Sequence, residues 1–515
     1  MANKSIGQQF MDADAKRTTL LDECRQFSAL TIPDVLPLEN KTVNDRLERC
    51  WTNTGGEGME NMVGRSLTAL FPIGLPWFHK DVSAEVRAST EISEDDKLAL
   101  YTALMRRELL MASLLESTNY RLAKRSQLES VYICGNGLTR MASDYSHRYF
   151  RFDNWVCRRG GAGNLLWTIT REKKYASELT EQDREKCKVK PDQDEPVDLY
   201  TRCQWDTEVN YWHVEQEINE VVLRSAWEKF NPYNVVTYRL CPGEDYARGF
   251  IDVRMPDLTS ANSLWQALLF GMANAAKMLP VVDPSEPNLR PQDLLKPNGQ
   301  PVAGRVVNGA VQGVAFLQTN KSADFSIAFQ GAQALEQRLG RSMLMEAAAM
   351  PKGERVTATA VMRIANELQG ALGGLYAQIA TECQKPMLEY LEYQMERDAL
   401  LVPFSDADKK RLVKTDILTG AAALAKEMRF ERLMAAVQQI VTLPGEAERI
   451  NYSVLADRML YLVGEELPGL IKTPDQLAAE TNAKMQQALG GMESQQAIET
   501  IGKVVEERAK QTPPQ

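Results

Sequence analysis

The chain of 515 residues, 44% hydrophobic and 25% charged, has the composition of a globular protein. It is too long for a single core, so we expect roughly two to four structural units. A formal net charge of −9 at pH 7 argues against binding of nucleic acid over a broad basic surface, so any such contact must be local.

The cysteines and the apolar runs indicate the compartment. No C-x-x-C pair occurs among the eight cysteines, which indicates neither a zinc site nor a disulfide framework. The N-terminal stretch "MANKSIGQQFMDADAKR" lacks the apolar region of a secretory signal, and no run of about 20 apolar residues could span a bilayer. We therefore expect an intracellular protein with reduced thiols and no membrane partner.

Two periodicities divide residues 1–256. Up to about residue 130 the apolar residues recur at helical spacing, as in "DAKRTTLLDECRQFSALTIP". From 138 to 255 the period changes to two, and "YFRFDNWVCR" and "NLLWTITREKK" flank a glycine-rich turn that predicts a hairpin. The stretches "VDLYTRCQW" and "YWHVEQEI" predict a second pair of strands, so this stretch is expected to be a small β-rich subdomain.

Four cations of this subdomain are predicted to meet across the first hairpin. They would form either a solvated edge or a phosphate-binding site. The residues are Arg158, Arg159, Lys173 and Lys174.

One helix is predicted before a β element and another after it. After Pro256, Asp257 can cap a helix whose apolar residues fall at spacings of three and four. A proline-rich connection follows, and within it Asn308-Gly309 stands between β-branched runs, which is a strong hairpin signal. Helical periodicity then returns at about 329–349.

A long helix is predicted after a short basic turn. Lys352 and Arg355 stand on that turn, although the N-terminus of a helix favours anions, so they are either functional cations or partners of nearby glutamates. Gly370, Gly373 and Gly374 weaken the helix and predict a bend, because glycine in a helix interior costs roughly 0.5–1 kcal/mol relative to alanine. Further along the same helix, Pro386 predicts a second break.

No catalytic or metal-binding constellation is evident. The chain has no G-x-x-x-x-G-K-[ST], no G-x-G-x-x-G and no H-E-x-x-H, and its three histidines are isolated from one another. We therefore predict no enzyme activity, no catalytic residues, no metal and no cofactor.

The order of the elements and several literal stretches resemble the portal, or head-to-tail connector, of podoviruses, the short-tailed phages. The matching stretches are "NMVGRSLTALFP", "GEDYARGFIDVRMPDLTSANSL", "FLQTNKSADFSIA" and, most specific, "GERVTATAVMRIANELQGALGGLYAQIATECQKPML". They extend over residues 60–390, whereas the last hundred or so residues contain no matching stretch.

The resemblance implies an α+β, mainly helical portal fold with a β-rich wing, a two-helix stem, a β-hairpin clip, a long kinked helix and a helical crown. The implied divisions are a wing (1–256, β-rich over 138–255), stem helices (257–280 and 329–349), a clip (281–328), a channel loop (350–356), a long kinked helix with a return to the wing (357–440) and a crown with a frayed tail (441–515).

The resemblance further implies a homo-dodecameric ring at one capsid vertex of the virion, assembled in the host cytoplasm, through which double-stranded DNA is packaged and ejected. The implied partners are a terminase motor, a tail adaptor protein, capsid protein and scaffolding protein. In this interpretation Lys352 and Arg355 face the DNA, Gly370, Gly373 and Gly374 form a hinge, and Asn308 and Gly309 form the tip of the clip. The alternatives are a helical scaffold or tail component without a DNA channel and, less compatible with the motifs, a DNA-processing enzyme subunit.

Overall fold

The structure of the chain is a computed structural model. It describes residues 4–38, 50–73, 77–83, 94–191, 193–275, 279–282, 306–307, 310–311, 314–317, 322–345, 358–403, 413–417 and 434–439. The chain divides into two compact units. The first contains Met1–His79, Arg107–Asp406 and Thr415–Ala423, and the second contains Lys80–Arg106, Ala407–Lys414 and Leu424–Gln515.

The first unit begins with helices, as the periodicity predicts. They are α1 (Ile6–Ala15), α2 (Thr18–Ala29) and α3 (Thr54–Leu70), and α3 ends just before Pro72, which cannot continue a helix. Three elements contain the boundary between the units: β1 (Phe78–Val82), α4 (Glu94–Glu116) and β14 (Val413–Ile417). Of the second unit, the structure describes these segments and the helical residues 434–439.

A three-stranded sheet follows helix α5 (Tyr120–Cys134). It has the order β3-β2-β9, with β2 (Asn136–Met141) between β3 (His147–Phe150) and β9 (Tyr233–Thr237). Both pairings are antiparallel. Since β9 lies almost a hundred residues after β2, this sheet brings distant parts of the chain together.

A five-stranded antiparallel meander carries the predicted hairpins. Its strands are β4 (Trp155–Arg159), β5 (Leu165–Lys174), β6 (Val197–Asp206), β7 (Tyr211–Ile218) and β8 (Val221–Glu228), with the short helix α6 (Glu181–Cys187) between β5 and β6. Buried and partly exposed residues alternate along β6, which is the period-two pattern that predicted a strand there. Pairing of β4 with β5 and of β6 with β7 confirms both predicted strand pairs.

The predicted contact among the four cations of this sheet is wrong. In the observed register Arg158 lies opposite Trp167, whereas Lys173 lies opposite Asp198 on β6, six residues further along β5. At about 3.3 Å per residue, these two positions on β5 are roughly 20 Å apart. Arg158 instead contacts Asp245 at 3.3 Å, so the phosphate site suggested for this cluster has no basis.

Two long helices flank the next group of strands. Helix α7 (Met255–Ala275) begins two residues earlier than predicted, which places Asp257 in its first turn rather than at its cap. Helix α8 (Ser322–Ser342) begins seven residues earlier than predicted. Between the helices, β10 (Leu279–Val282) pairs with β13 (Val314–Leu317), and β11 (Val306–Val307) pairs with β12 (Ala310–Val311).

The long helix is divided into α9 (Ala358–Leu372) and α10 (Gly374–Arg397). Its buried side chains pack into the main core of the first unit, together with residues of α3, α5 and the three-stranded sheet. Tyr132 of α5 is fully buried there, and its hydroxyl contacts Ser66 Oγ of α3 at 2.6 Å. The observed architecture is therefore mixed helix and sheet, mainly helical, as the sequence predicts.

Candidate functional site at the interrupted long helix

The predicted site residues fall into two groups. Lys352 and Arg355 lie outside the described residues, as do Asn308 and Gly309, so their assigned roles remain predictions. The strands β11 and β12 flank positions 308–309, and Val307 is paired with Ala310. The glycines of the long helix are among the described residues, so the candidate site is the region of the helix around them.

Gly373 separates the two halves of the helix. Its φ of +59° and ψ of −139° form a combination that is essentially restricted to glycine. The Gly373 N–H donates to the carbonyl of Gln369 at 2.8 Å and closes the last turn of α9, and its own carbonyl accepts from the Tyr376 N–H at 3.3 Å. The chain thus changes direction at one residue without losing the flanking hydrogen bonds.

The other two glycines have a different environment. Neither Gly370 nor Gly374 has a positive φ, and a Cβ built at either position would meet no atom within 4 Å. Local geometry therefore requires glycine only at position 373. The buried stripe runs through Leu368 and Leu372 and continues beyond the break with Tyr376, so both halves of the helix face the same core.

Pro386 does not break the helix, contrary to the sequence prediction, because α10 continues through it. A proline leaves the carbonyl four residues earlier without its helical donor. That carbonyl belongs to Glu382, and it accepts a hydrogen bond from Asn234 Nδ2 of β9 at 2.8 Å. The Glu382 carboxylate also accepts from the N–H and hydroxyl of Thr237, at 2.8 and 2.9 Å. Strand β9 thus compensates for the missing bond and fixes α10 to the sheet.

A buried ion pair fixes the C-terminal end of α10. Arg107 is 4% exposed, and its Nε donates to Glu392 Oε1 at 2.7 Å while its Nη2 donates to Glu396. Its Nη1 donates to the carbonyl of Val402 at 2.8 Å. The rigid guanidinium suits such a site because it binds several acceptors in one plane. These contacts and those of Glu382 fix α10 at two places after Gly373.

Helices α7 and α8 pack closely against each other and expose several large apolar side chains. Gly271 allows the helices to approach closely, because a Cβ there would lie 2.6 Å from the ring of Phe325. Glu336 Oε1 accepts hydrogen bonds from Thr54 Oγ1 and from Trp265 Nε1, at 3.0 and 2.8 Å. Five large apolar side chains of the pair are nevertheless 41–69% exposed. They are Leu269, Phe270, Met272, Ile327 and Phe329, and we call them the apolar patch.

A cavity of about 590 Å³ is lined by α1, α2, β4, β5 and the segment 243–248. Its lining includes cations and anions that pair with one another. Arg248 contacts Glu23 at 2.8 Å, and Arg158 contacts Asp245. Since these charges offset one another, the cavity does not provide a basic surface for nucleic acid.

Among the described residues there is no group of three or more His, Cys, Asp or Glu side chains that could hold a metal ion. In the same part of the chain, no helix combines the length and the apolar character needed to cross a membrane.

Sequence reasoning missed Asn234, Glu382 and Arg107. For Asn234 and Glu382 the one local signal is Pro386, because a proline inside an amphipathic helix leaves a carbonyl that needs another donor. The residue that supplies that donor is far away in the chain and could not be identified from sequence alone. Arg107 has no local signal of this kind.

Comparisons with known proteins give a consistent result. A model of the family described as "Bacteriophage head to tail connecting protein" matches residues 3–468. The portal protein of Enterobacteria phage T3 is 27% identical over 495 residues, which cover 92% of this chain and 90% of that protein. The portal protein of Escherichia phage T7 is 25% identical, with coverages of 92% and 88%.

Among solved structures, one described as the neck of an empty GTA particle covers 77% of this chain and 89% of that chain, at 11% identity and a TM-score of 0.39. A TM-score of that size does not by itself establish a shared fold.

Proposed function

Because this chain belongs to the family of bacteriophage head to tail connecting proteins, we propose that it forms the portal ring at one vertex of a podovirus capsid. Twelve copies surround a channel through which double-stranded DNA enters during packaging and leaves during ejection. The protein acts as a structural channel and docking platform rather than as an enzyme. It works in the virion after assembly in the host cytoplasm.

The observation that carries this proposal is the apolar patch on α7 and α8. Large apolar side chains that are exposed singly are normal in a soluble protein, whereas several of them on one pair of helices indicate an interface. Its residues belong to one pair of helices and include two aromatic side chains, Phe270 and Phe329. A neighbouring subunit of a ring would cover such a patch by a head-to-tail contact, repeated until the ring closes.

The remaining elements take roles that fit this arrangement. The β strands between α7 and α8 form the clip, whose tip is Asn308-Gly309, and they bind the terminase motor and later the tail adaptor. Lys352 and Arg355 reach the DNA from the inner rim, and the bend at Gly373 directs the long helix away from the bore. Capsid and scaffolding proteins contact the outer parts of the ring.

Ring formation can be tested by disrupting the apolar patch. A chain carrying both Phe270→Asp and Ile327→Asp should remain folded but fail to form rings, because each side chain loses roughly 1.5–3 kcal/mol of apolar burial at every interface and introduces a charge there. Native mass spectrometry and negative-stain imaging would measure the assembly.

Leu122→Asp is the matched control. Leu122 lies on α5, outside the patch, and is 69% exposed, the same fraction as Ile327. The unaltered chain and the control should both give rings with a central hole. Absence of rings from the unaltered chain would refute the proposed function, and rings in the double variant would refute the role of the patch.

A further inference from the structure

Lys124 of α5 is completely buried and has an unusual set of partners. Its Nζ donates to Gln127 Oε1 at 2.8 Å, Thr139 Oγ1 at 3.1 Å and Asn234 Oδ1 at 2.8 Å. Across the described residues, no carboxylate forms an ion pair with it. A buried lysine is expected to have a counter-charge or a specific role, since burial of an unpaired charge is costly.

The hydrogen bonds around Lys124 determine its protonation state. Gln127 Nε2 donates to two main-chain carbonyls, at 3.2 and 2.7 Å, which orients the Gln127 Oε1 atom toward Nζ. The Thr139 hydroxyl donates to Gln127 Oε1 at 3.2 Å. The Asn234 Nδ2 group is committed to the carbonyl of Glu382. Three oxygens thus present only acceptor lone pairs to Nζ, and only an ammonium supplies three hydrogens.

Burial opposes this state but does not abolish it. Desolvation lowers the pKa of Lys124 below its ordinary value, while the neighbouring Cys383 acts in the opposite direction. With a neutral amine, one acceptor would face a nitrogen lone pair in a dry core, which is costly. The ammonium is thus the form that satisfies the surrounding groups.

Asn234 connects this ammonium to the long helix. Its Oδ1 accepts from Lys124, and its Nδ2 donates to the Glu382 carbonyl that Pro386 leaves without a helical donor. If the Asn234 amide were reversed, its Nδ2 group would face the Lys124 ammonium, and its Oδ1 atom would face the carbonyl oxygen of Glu382. The ammonium therefore orients the amide, and the amide holds the helix.

We propose that Lys124 and Asn234 are positioning residues that clamp α10 to β9, so that the part of the long helix after Gly373 stays fixed during DNA passage. This inference rests on the proposed function and adds to it the part of the helix that must stay fixed. A channel helix that is fixed after the bend transmits force to the wing.

Asn234→Asp keeps the contact of residue 234 with Lys124 but removes its hydrogen bond to α10. An aspartate keeps an acceptor for Lys124 but has no N–H for the Glu382 carbonyl. Hydrogen exchange measured on assembled rings should therefore accelerate by about tenfold in residues 382–397, the effect of one lost buried bond, and remain unchanged in α3. Heads assembled with this variant should retain less packaged DNA than heads with the unaltered chain.

Pro386→Ala supplies the rescue, because residue 386 regains an N–H that can bond to the Glu382 carbonyl. In the double variant, Asn234→Asp with Pro386→Ala, both exchange and DNA retention should return toward the values of the unaltered chain. Ser130→Ala is the matched control. It removes a buried hydroxyl of α5 that donates to the carbonyl of Asn136 at 2.6 Å and has no bond to α10.

The outcomes are distinct. Unchanged exchange in Asn234→Asp, or equal acceleration in Ser130→Ala, would refute the clamp. Faster exchange with full DNA retention would leave the contact purely structural and refute the positioning role. If rings of the unaltered chain carry no DNA, the proposed function is wrong, and so is the role of the clamp during DNA passage. The exchange measurement would still show whether Asn234 holds α10 to β9.

Discussion

At the residue scale, burial determines the protonation state of His147 in the first unit. His147 is 5% exposed, and its backbone N–H and carbonyl are both hydrogen-bonded to Asn119. Its Nε2 is buried without a hydrogen-bond partner. Burial lowers the pKa of His147 to about 3, and the ammonium of Lys124 adds to this effect. The folded protein therefore holds a neutral imidazole beside a buried cation.

This histidine predicts how stability depends on pH. The unfolded chain binds a proton at His147 below pH of about 6.5, whereas the folded chain does so only near pH 3, so stability is lost as the pH falls through that window. We expect a loss of roughly 1–2 kcal/mol from this group between pH 6.5 and pH 5. His147→Gln should reduce the difference between urea unfolding midpoints at pH 7 and pH 5.

His213→Gln is the control for this prediction, because His213 is not buried and its Nε2 contacts the hydroxyl of Ser225 at 2.7 Å. If this control changes the pH dependence as much as His147→Gln does, the effect is not specific to the buried histidine. An unchanged pH dependence in His147→Gln would show that other groups cause the acid sensitivity.

At the element scale, the interrupted helix separates the conformational and the packing roles of glycine. Gly373 is required by its backbone angles, whereas Gly370 and Gly374 have ordinary angles and open space around them. Glycines at the latter positions make the helix less stable without improving its packing. That reduced stability is consistent with a helix that must adjust near its bend.

Alanine substitutions distinguish these positions. Gly373→Ala should lower the free energy of unfolding by about 1–3 kcal/mol, because alanine is strained at this backbone conformation. Gly370→Ala should raise it by roughly 0.5–1 kcal/mol, because alanine favours the helix and meets no atom there. Thermal unfolding of both variants gives the comparison, and equal effects at the two positions would contradict the assignment of the bend to Gly373.

At the scale of the whole molecule, a net charge of −9 per chain would suit the DNA channel that we propose. A channel wall with an acidic surface would repel the phosphates, which are spaced at one charge per about 1.7 Å of duplex, and so would favour sliding over tight binding. A few cations on one rim would give a brief, salt-sensitive hold on the DNA. Lys352 and Arg355, which lie outside the described residues, are the predicted source of that hold.

Replacement of both cations by glutamine tests this role. The double variant Lys352→Gln with Arg355→Gln should form rings, because the apolar patch is untouched, but heads carrying it should lose packaged DNA or package less. Genome length in purified heads, measured by gel electrophoresis, checks the prediction. Heads that retain full-length genomes would leave these cations with a local role, such as pairing with Glu346 or Glu354.

The sequence by itself determined the elements that depend on local backbone preference. Alternating residues and a glycine-rich turn predicted the β4–β5 hairpin, and helical periodicity predicted α7 and α8 to within two residues and seven residues of their starts. The literal stretches pointed to the connector family, which the match over residues 3–468 confirms. These features could be predicted because neighbouring residues in the chain produce them.

Only the tertiary structure decided the contacts that join distant parts of the chain. Pro386 is accepted within α10 because Asn234, about 150 residues earlier, supplies a donor, and no local rule identifies that partner. Arg158 and Lys173 are separated because strand register, rather than residue type, decides which side chains meet. Lys124 illustrates the same limit, since a lysine is ordinarily exposed and only the folded core gives it three acceptors.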